Sequence, residues 1–282
     1  MKNITQGLSN FVLVHLQEKA EGKKQALQIG ISQSKFNVIA TTDADCIAPL
    51  DWLSYLSLFF ENEETKMLVG AVRLSGGHSF FSRLQTMEFS SLVGTAAAAI
   101  GLGHPVMSNG ANLAFRKEVF ETVDGYEGNI QIPSGDDEFL MRKIINRYPK
   151  GIVFMNFPES TVSSQPQPSI HDFFYQRLRW AGKWKHNSDV LTRMLAVFIL
   201  MSQIAFTALM IKDIFHPDMT IALLFFKILV ESIFVFVVIR FLGLRFDWLG
   251  FIMLQIIYPV YVTGIGLLSL GWSYQWKRRN YK

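Results

Sequence analysis

The sequence is poor in cysteine: Cys46 is the one thiol among 282 residues. A lone cysteine excludes a disulfide within the chain and favours a reducing compartment. Cys46 follows Asp45 and could ligate a soft metal, although a small buried side chain is the more common role of such a residue. The sequence also lacks the Ser–His or Cys–His spacing of a covalent nucleophile and any recognisable nucleic-acid-binding module. We therefore expect no nucleic-acid partner.

Charged residues are scarce as well, at 18% of the chain against the usual quarter, whereas 50% of the residues are hydrophobic. The apolar excess begins near residue 190, so the composition predicts an α/β domain over residues 1–187 and a membrane region over residues 188–282. Three apolar runs in the second region are long enough to cross the hydrocarbon core, which takes roughly 20 residues. The runs cover residues 190–211, 221–239 and 248–270. We expect a multi-pass membrane protein with a C-terminal bundle of about three transmembrane helices.

Basic residues set the expected orientation in the cell membrane. The net charge of +4 is modest, and its clusters suit phosphates or an anionic lipid surface. Arg240 and Arg245 lie between the second and third runs, which places this connection and the first domain in the cytoplasm by the positive-inside rule. The basic residues at 277–282 would then lie outside, against the same rule. One of the three runs could instead lie in the membrane interface.

Two carboxylates follow the most strand-like segment of the chain. Residues 38–42 are rich in β-branched side chains and predict a buried strand, and a helical pattern begins at Trp52. Asp43 and Asp45 therefore lie in a strand-to-helix turn, and such turns face the ligand crevice of an open α/β sheet. Mg²⁺ and Mn²⁺ prefer carboxylate oxygens, so we interpret the pair as a metal–diphosphate site. A solvated turn or a helix N-cap is the alternative.

Three further segments carry candidate polar groups. Lys23 lies at the start of a predicted helix, where anions are favoured. The Gly/Asn/Ser loop at 105–116 would let backbone approach a ligand, and Asn112 offers both donor and acceptor groups there. Three acids at 136–138 open a helix, and neighbouring carboxylates raise one another's pKa, which suits a general base. The alternatives are a solvated lysine, an ordinary turn and a charged helix cap.

An aromatic and basic helix is predicted over residues 169–187. Gln176, Arg179 and Trp180 fall on one face of it, because residues three and four apart are neighbours on a helix. That face offers an amide, a guanidinium for phosphate and a ring for stacking on a sugar or nucleotide. An interfacial amphipathic helix with snorkelling arginines is the alternative.

These segments together carry a family resemblance. The motifs, in chain order, are Lys23 in Gly-Lys-Lys, Asp43-Ala44-Asp45, Ser108-Asn109-Gly110-Ala111-Asn112, Gly135-Asp136-Asp137 and Gln176-Arg177-Leu178-Arg179-Trp180. In order and approximate spacing the chain resembles membrane-associated family 2 glycosyltransferases over about residues 11–185, and the Gln-x-x-Arg-Trp match is the most specific. The resemblance implies a GT-A fold, a Rossmann-like mixed sheet flanked by helices. It also implies an inverting hexosyltransferase of polysaccharide biosynthesis with a UDP- or GDP-sugar donor and Mg²⁺ or Mn²⁺.

By position, the resemblance assigns roles to individual residues. Asp43 and Asp45 would bind the metal and the donor diphosphate, Lys23 would lie near the donor, and Arg179 would meet the pyrophosphate. Asp137 would be the general base that deprotonates the acceptor hydroxyl. The remaining motif residues would line the sugar and acceptor pocket: Gly110, Asn112, Asp136, Gln176 and Trp180.

One departure from the family concerns the N-terminus. Domains of this family usually begin with a strand, a helix and a second strand that ends in an acidic residue, and these elements together hold the nucleotide base. In the family they precede the position that corresponds to Phe11 of this chain. We therefore expect a truncated domain, and a partner chain could supply the missing unit. A catalytically silent or partner-dependent membrane subunit is the alternative function. A two-metal phosphoryl-transfer enzyme built on both acidic motifs is a third interpretation, which leaves the Gln-x-x-Arg-Trp motif unexplained.

The predicted membrane region indicates which kind of acceptor the protein uses. Lys227 and Glu231 stand four apart inside the second run, where an isolated charge is costly, so we expect them to neutralise each other or to face other helices. We expect three helices to be too few to enclose a polysaccharide channel. We therefore favour transfer of a single sugar to a lipid-linked or other glycan acceptor at the membrane.

Overall fold

The computed structural model describes residues 12–14, 22–132, 134–182, 189–269, 274–276 and 279–281. The helices among them are α1 (Lys23–Gln33), α2 (Trp52–Phe60), α3 (Phe80–Gly101), α4 (Lys117–Thr122), α5 (Asp136–Arg147), α6 (Ile170–Gly182), α7 (Val190–Phe215), α8 (Thr220–Phe241) and α9 (Trp248–Ser269). The strands are β1 (Val38–Thr41), β2 (Met67–Gly70), β3 (Val72–Leu74), β4 (Leu113–Arg116), β5 (Ile152–Met155), β6 (Val162–Ser164), β7 (Tyr274–Trp276) and β8 (Arg279–Tyr281).

A four-stranded mixed sheet forms the centre of the first region. Its strand order is β1-β4-β2-β5, in which β4 runs antiparallel to both β1 and β2, and β2 runs parallel to β5. Phe115 of β4 lies opposite Ile39 on one side and Met67 on the other. The predicted α/β class, with a mixed sheet flanked by helices, is confirmed.

The central strand β2 is buried along its whole length because helices cover both faces of the sheet. Met67 packs into a core cluster with residues of α1, α4 and α5, whereas Leu68 packs into a second cluster with residues of α2 and α3. Successive residues of a strand point to opposite faces, so the two clusters lie on the two sides of the sheet. This explains why β2 is a continuous apolar run and lacks alternation.

The apolar segment at 67–74 forms two strands in different sheets. Ala71 separates β2 from β3, and β3 pairs in parallel with β6 in a second, two-stranded sheet. The Ala71 carbonyl accepts hydrogen bonds from the Val162 backbone N–H and from the Asn112 amide. Because these partners are distant in the chain, the sequence around Ala71 does not reveal the break between β2 and β3.

Helices α7, α8 and α9 coincide with the three predicted apolar runs. The segments Thr192–Phe215, Thr220–Phe241 and Trp248–Ser269 are long and apolar enough to cross a membrane. Few of their residues are buried, as expected of side chains that face lipid. The three helices indicate a membrane protein.

The charged pair of α8 is neutralised as predicted. Lys227 Nζ lies 2.9 Å from Glu231 Oε2 and 2.9 Å from the Gln255 side-chain oxygen of α9. The ammonium also lies 3.8 Å from the centroid of the Phe206 ring of α7. A charge inside an apolar bundle is tolerated when it is paired in this way.

The C-terminal helices pack directly against the α/β region. Helix α3 contacts both α8 and α9. The connection between α8 and α9 also contacts the α/β region, because Arg73 donates to the Leu242 carbonyl at 3.2 Å and Arg83 Nε lies 3.2 Å from an Asp247 carboxylate oxygen. Helix α6 ends at Gly182, and the remainder of the helix predicted over 169–187 lies outside the described residues.

Candidate active site

The acidic motif at 43–45 forms a tight turn at the end of β1. The Cys46 backbone N–H donates to the Asp43 carbonyl at 3.0 Å, and Ile47 then pairs with Ser163. Asp43 is half-buried and Asp45 is exposed. The turn therefore presents carboxylates at the end of a strand, as the sequence predicts. The strand itself is not buried as expected, because β1 lies at the edge of the sheet and Ile39 is its one buried residue.

Lys23 lies between two acidic motifs that are far apart in the chain. Its ammonium Nζ lies 2.7 Å from Asp43 Oδ1 and 3.1 Å from Asp136 Oδ2. Burial by itself would lower the pKa of Lys23, but the attraction of Asp136 and Asp43 outweighs it and raises the pKa above its usual value. Lys23 is therefore a permanent positive charge that joins the turn after β1 to the start of α5.

The two aspartates at the start of α5 differ in their surroundings. Gly135, with a φ of 78°, sets the left-handed turn into the helix. Asp137 accepts the Gly110 backbone N–H at 3.0 Å on Oδ2 and the Glu138 backbone N–H at 2.8 Å on Oδ1. Burial and the neighbouring Asp137 raise the pKa of Asp136, and Lys23 partly offsets that rise. The Asp137 carboxylate is therefore held by backbone donors, whereas Asp136 is held by a cation.

Gly110 brings loop backbone close to these charges. A Cβ at this position would lie 3.2 Å from Asp136 Oδ2 and 3.3 Å from Lys23 Nζ, so any larger residue would crowd the ion pair. The Gly110 carbonyl accepts the Thr41 hydroxyl at 2.9 Å. The loop is thus fixed from both sides, by β1 and by the start of α5.

Asn112 occupies a different position from the one predicted. Its side chain is fully buried, and it accepts the Trp52 indole N–H at 2.9 Å. Its amide nitrogen donates to the carbonyls of Ala71 at 2.8 Å and Ser160 at 3.1 Å. The Asn112 amide therefore supports the loop from inside the protein and does not line a pocket, because a buried amide takes the partners that satisfy both of its ends.

Helix α6 brings its three predicted residues to separate contacts. Arg179 Nη1 donates to the Ser134 hydroxyl at 3.0 Å, which ties α6 to the segment just before α5. Trp180 packs against the core cluster of α2 and α3, with its ring centroid 6.2 Å from that of Phe89. Gln176 accepts a hydrogen bond from Arg177 at 2.5 Å. Each of the three residues on the predicted face of α6 is therefore held by a contact of its own.

Arg177 has a contact that the sequence analysis missed. Its side chain is 5% exposed and pairs with Glu88 of α3, whose side chain is 3% exposed. The guanidinium also lies against the rings of Phe173 and Trp180, 4.4 and 4.3 Å from their centroids. Glu88 is 89 positions away in the chain, so no local pattern reveals the pair. The aromatic residues on either side of Arg177 are the one sequence signal that it is buried.

The acidic turn has suitable donors for a divalent cation. One ligand atom each from Asp43, Asp45 and Cys46 lie within 4.8 Å of one another. Burial and the two carboxylates raise the pKa of the Cys46 thiol, although a hydrogen bond to Ser164 opposes the rise. A protonated thiol is a poor ligand, so the carboxylate oxygens are the appropriate donors, and they suit Mg²⁺ or Mn²⁺. Cys46 is half-buried, in partial agreement with the small buried residue expected from the sequence.

Comparison with known proteins identifies the family. Residues 38–272 match the family model described as glycosyl transferase family group 2. The chain is 27% identical over 181 residues to poly-beta-1,6-N-acetyl-D-glucosamine synthase of Staphylococcus aureus strain COL, an alignment that covers 61% of this chain and 41% of the relative. It is 24% identical over 196 residues to the synthase of the same name from Staphylococcus epidermidis, covering 65% of this chain and 45% of that relative. The chain spans less than half the length of these curated relatives. The chain belongs to glycosyl transferase family group 2.

Proposed function

We propose that this protein transfers a sugar from a nucleotide-sugar donor to a glycan acceptor at the membrane, with inversion at the anomeric carbon. The convergence of Lys23, Asp43 and Asp136 within 3.1 Å carries the proposal, together with the Gly110 N–H on Asp137. Three motifs meet there, and the first and last of them, at Lys23 and Asp136, are 113 positions apart in the chain. The similarity to poly-beta-1,6-N-acetyl-D-glucosamine synthases supports UDP-N-acetylglucosamine as the donor to test first.

In this proposal Asp137 acts as the general base. A carboxylate has about four acceptor positions, and the backbone donors of Gly110 and Glu138 occupy two of them, one on each oxygen. The remaining positions can accept the proton of an acceptor hydroxyl, while the two backbone hydrogen bonds hold the carboxylate in place. Inversion requires the base and the leaving group to lie on opposite faces of the sugar.

The leaving diphosphate needs positive charge. Asp43 and Asp45 would hold the Mg²⁺ or Mn²⁺ that neutralises it. Lys23 adds a fixed positive charge beside Asp43, and Arg179 adds a guanidinium near the start of α5. Preorganised charges of this kind stabilise a developing anion without reorganisation during the reaction.

The proposed active site faces the cytoplasm. The connection between α8 and α9 packs on the α/β region through Arg73 and Arg83. It carries Arg245, and Arg240 lies in the last turn of α8 just before it. The positive-inside rule favours the cytoplasm for such a connection. In a Cys46→Ser background, which removes the native thiol, Arg245→Cys should react with a membrane-impermeant maleimide only after permeabilisation, whereas His216→Cys, between α7 and α8, should react in intact cells. The reverse pattern would contradict this orientation.

The proposal is tested with the full chain in nanodiscs. We expect metal-dependent binding of UDP by calorimetry and incorporation of labelled sugar into a glycan product from UDP-N-acetylglucosamine. Asp137→Asn should lower the transfer rate by about 10²- to 10⁴-fold, the usual contribution of a general base, and leave UDP binding intact. Asp45→Ala should abolish metal-dependent UDP binding. Asp51→Asn makes the same chemical change as Asp137→Asn at an exposed position and should leave both measurements unchanged.

Two outcomes would contradict the proposal. A folded sample that binds no UDP in the presence of Mn²⁺ would favour the partner-dependent or silent subunit. Transfer that persists in the Asp137→Asn variant would remove Asp137 from its proposed role. The length of the product, measured in the same reaction, distinguishes single transfer from polymerisation.

A further inference from the structure

Glu88 joins helices from three parts of the fold. Arg177 of α6 donates through Nη2 and Nε to the two carboxylate oxygens of Glu88 at 2.5 and 3.0 Å. Tyr261 of the candidate membrane helix α9 donates its hydroxyl to Glu88 Oε1 at 2.8 Å. Since Glu88 belongs to α3, the carboxylate connects the α/β region, the amphipathic helix α6 and the membrane helix α9.

The same guanidinium contacts two residues of the candidate acceptor site. Arg177 Nη1 donates to Gln176 Oε1 at 2.5 Å, and the Trp180 ring centroid lies 4.3 Å from the centre of the guanidinium. A planar guanidinium that is held by a bidentate carboxylate has a defined orientation. The side chains that rest on Arg177 therefore take their positions from Glu88.

The membrane helix also reaches α6 directly. The rings of Tyr261 and Phe173 lie 5.6 Å apart between centroids, and Phe173 in turn contacts the Arg177 guanidinium. Tyr261 therefore touches the network both through its hydroxyl and through its ring. A shift of α9 would change both contacts together.

We propose that Glu88 and Tyr261 are positioning residues, which hold Arg177 so that Gln176 and Trp180 are presented to the acceptor. The proposal rests on the glycosyl-transfer function proposed above. The membrane helix α9 then sets acceptor binding, whereas donor binding depends on a different segment, the turn at 43–45. A change in the Glu88 network should therefore alter the affinity for the acceptor and leave the affinity for the donor unchanged.

The test uses the full chain in nanodiscs with the variants Tyr261→Phe and Arg177→Lys. Tyr261→Phe keeps the ring contact and removes one hydrogen bond to a charged group, so the acceptor KM should rise by about 10- to 150-fold while the UDP affinity stays within twofold. Hydrogen exchange of residues 170–182 should accelerate in the same variant. Tyr175→Phe makes the same chemical change on α6 itself, outside the Glu88 network, and should leave the KM and the exchange rates unchanged.

A double-mutant cycle then asks whether the two residues act through one network. Arg177→Lys keeps the charge and loses the bidentate geometry, so it should raise the acceptor KM more than Tyr261→Phe does. If Tyr261 acts through Glu88 and Arg177, the double variant should be little worse than Arg177→Lys alone, because the second change removes an interaction already lost.

The outcomes separate this proposal from the proposed function. Tyr261→Phe that behaves like Tyr175→Phe would overturn the positioning role, even if the wild-type chain transfers sugar. Equal losses of donor and acceptor binding would mean a general structural defect and would also overturn it. A wild-type chain that transfers nothing would contradict the proposed function, and the exchange rate of residues 170–182 would then decide whether Tyr261 controls α6.

Discussion

Replacing Asn112 by alanine should destabilise the α/β region strongly. The substitution removes three hydrogen bonds, one from the Trp52 indole and two to the carbonyls of Ala71 and Ser160. All three partner residues are buried, at 9%, 0% and 0% exposure respectively, so water cannot replace the amide. Each unsatisfied buried group costs about 1–3 kcal/mol. The Ala71 carbonyl keeps the Val162 backbone N–H as a partner, so we expect a total loss of about 3–6 kcal/mol.

The assay is thermal unfolding of the detergent-purified chain, followed by intrinsic tryptophan fluorescence. For a domain of this size each kcal/mol corresponds to about 2–4 °C, so Asn112→Ala should unfold roughly 6–24 °C lower than the wild type. Trp52→Phe removes only the indole donor and should cost about 1–3 kcal/mol. Asn112→Asp keeps the acceptor for Trp52 but turns a carboxylate toward two carbonyls, so it should cost at least as much as alanine. Asn37→Ala, an exposed amide just before β1, is the matched control and should change little.

One result would refute this reasoning. If Asn112→Ala unfolds within 2 °C of the wild type but loses sugar transfer, the amide would act in the acceptor pocket, as the family resemblance implies. The buried hydrogen bonds would then not carry the stability assigned to them. Loss of stability with UDP affinity retained at low temperature would support the structural role.

Three further predictions concern charge and packing. Lys23→Met frees a carboxylate oxygen of Asp43, so Mn²⁺ should bind about 1.4- to 5-fold more tightly, which is the contribution of an exposed ion pair. UDP should bind more weakly, because the positive charge of Lys23 is lost. Calorimetry measures both affinities, and a change of both in the same direction would contradict the prediction. Burial is the main reason why the pKa of Asp136 is higher in the folded protein than in the unfolded chain. The free energy of unfolding should therefore fall as the pH rises from the ordinary carboxyl pKa to the raised pKa of the folded state. Asp136→Asn should therefore raise the melting temperature relative to the wild type by an amount that grows with pH across that window and then stays constant; a difference that shrinks with pH would be inconsistent. Gly94→Ala places a Cβ 2.4 Å from a side chain of α8 and should cost about 1–3 kcal/mol in thermal unfolding. Gly101→Ala, on the same helix, would place a Cβ with no neighbour within 4 Å among the described residues and should not have this cost.

Short-range patterns predicted most of the elements. The β-branched run at 38–42 forms β1, and the apolar runs of the C-terminal region form α7, α8 and α9. The acids at 136–138 open α5 as expected. These features depend on residues within a few positions of one another, so periodicity and helix-end chemistry suffice to find them.

Long-range contacts decided the rest. The strand breaks at Ala71 because its carbonyl accepts hydrogen bonds from Val162 of β6 and from the Asn112 amide. The ion pair of Lys23 with Asp136 likewise joins positions that are 113 apart in the chain. The family resemblance implied that Asn112 lines a pocket, and an amide in a polar loop does offer hydrogen-bonding groups. Its direction, inward toward Trp52, follows from packing that the loop sequence does not contain.

The sequence by itself determined the class of the fold, the order of the motifs, the three apolar helices and the family resemblance, because composition and local pattern carry that information. Only the tertiary structure decided which polar groups meet. It placed Lys23 between two acidic motifs, turned Asn112 into the interior and paired Arg177 with Glu88. The physical reason is that a buried polar group must find partners, and those partners come from whichever distant segment the fold brings within hydrogen-bonding distance.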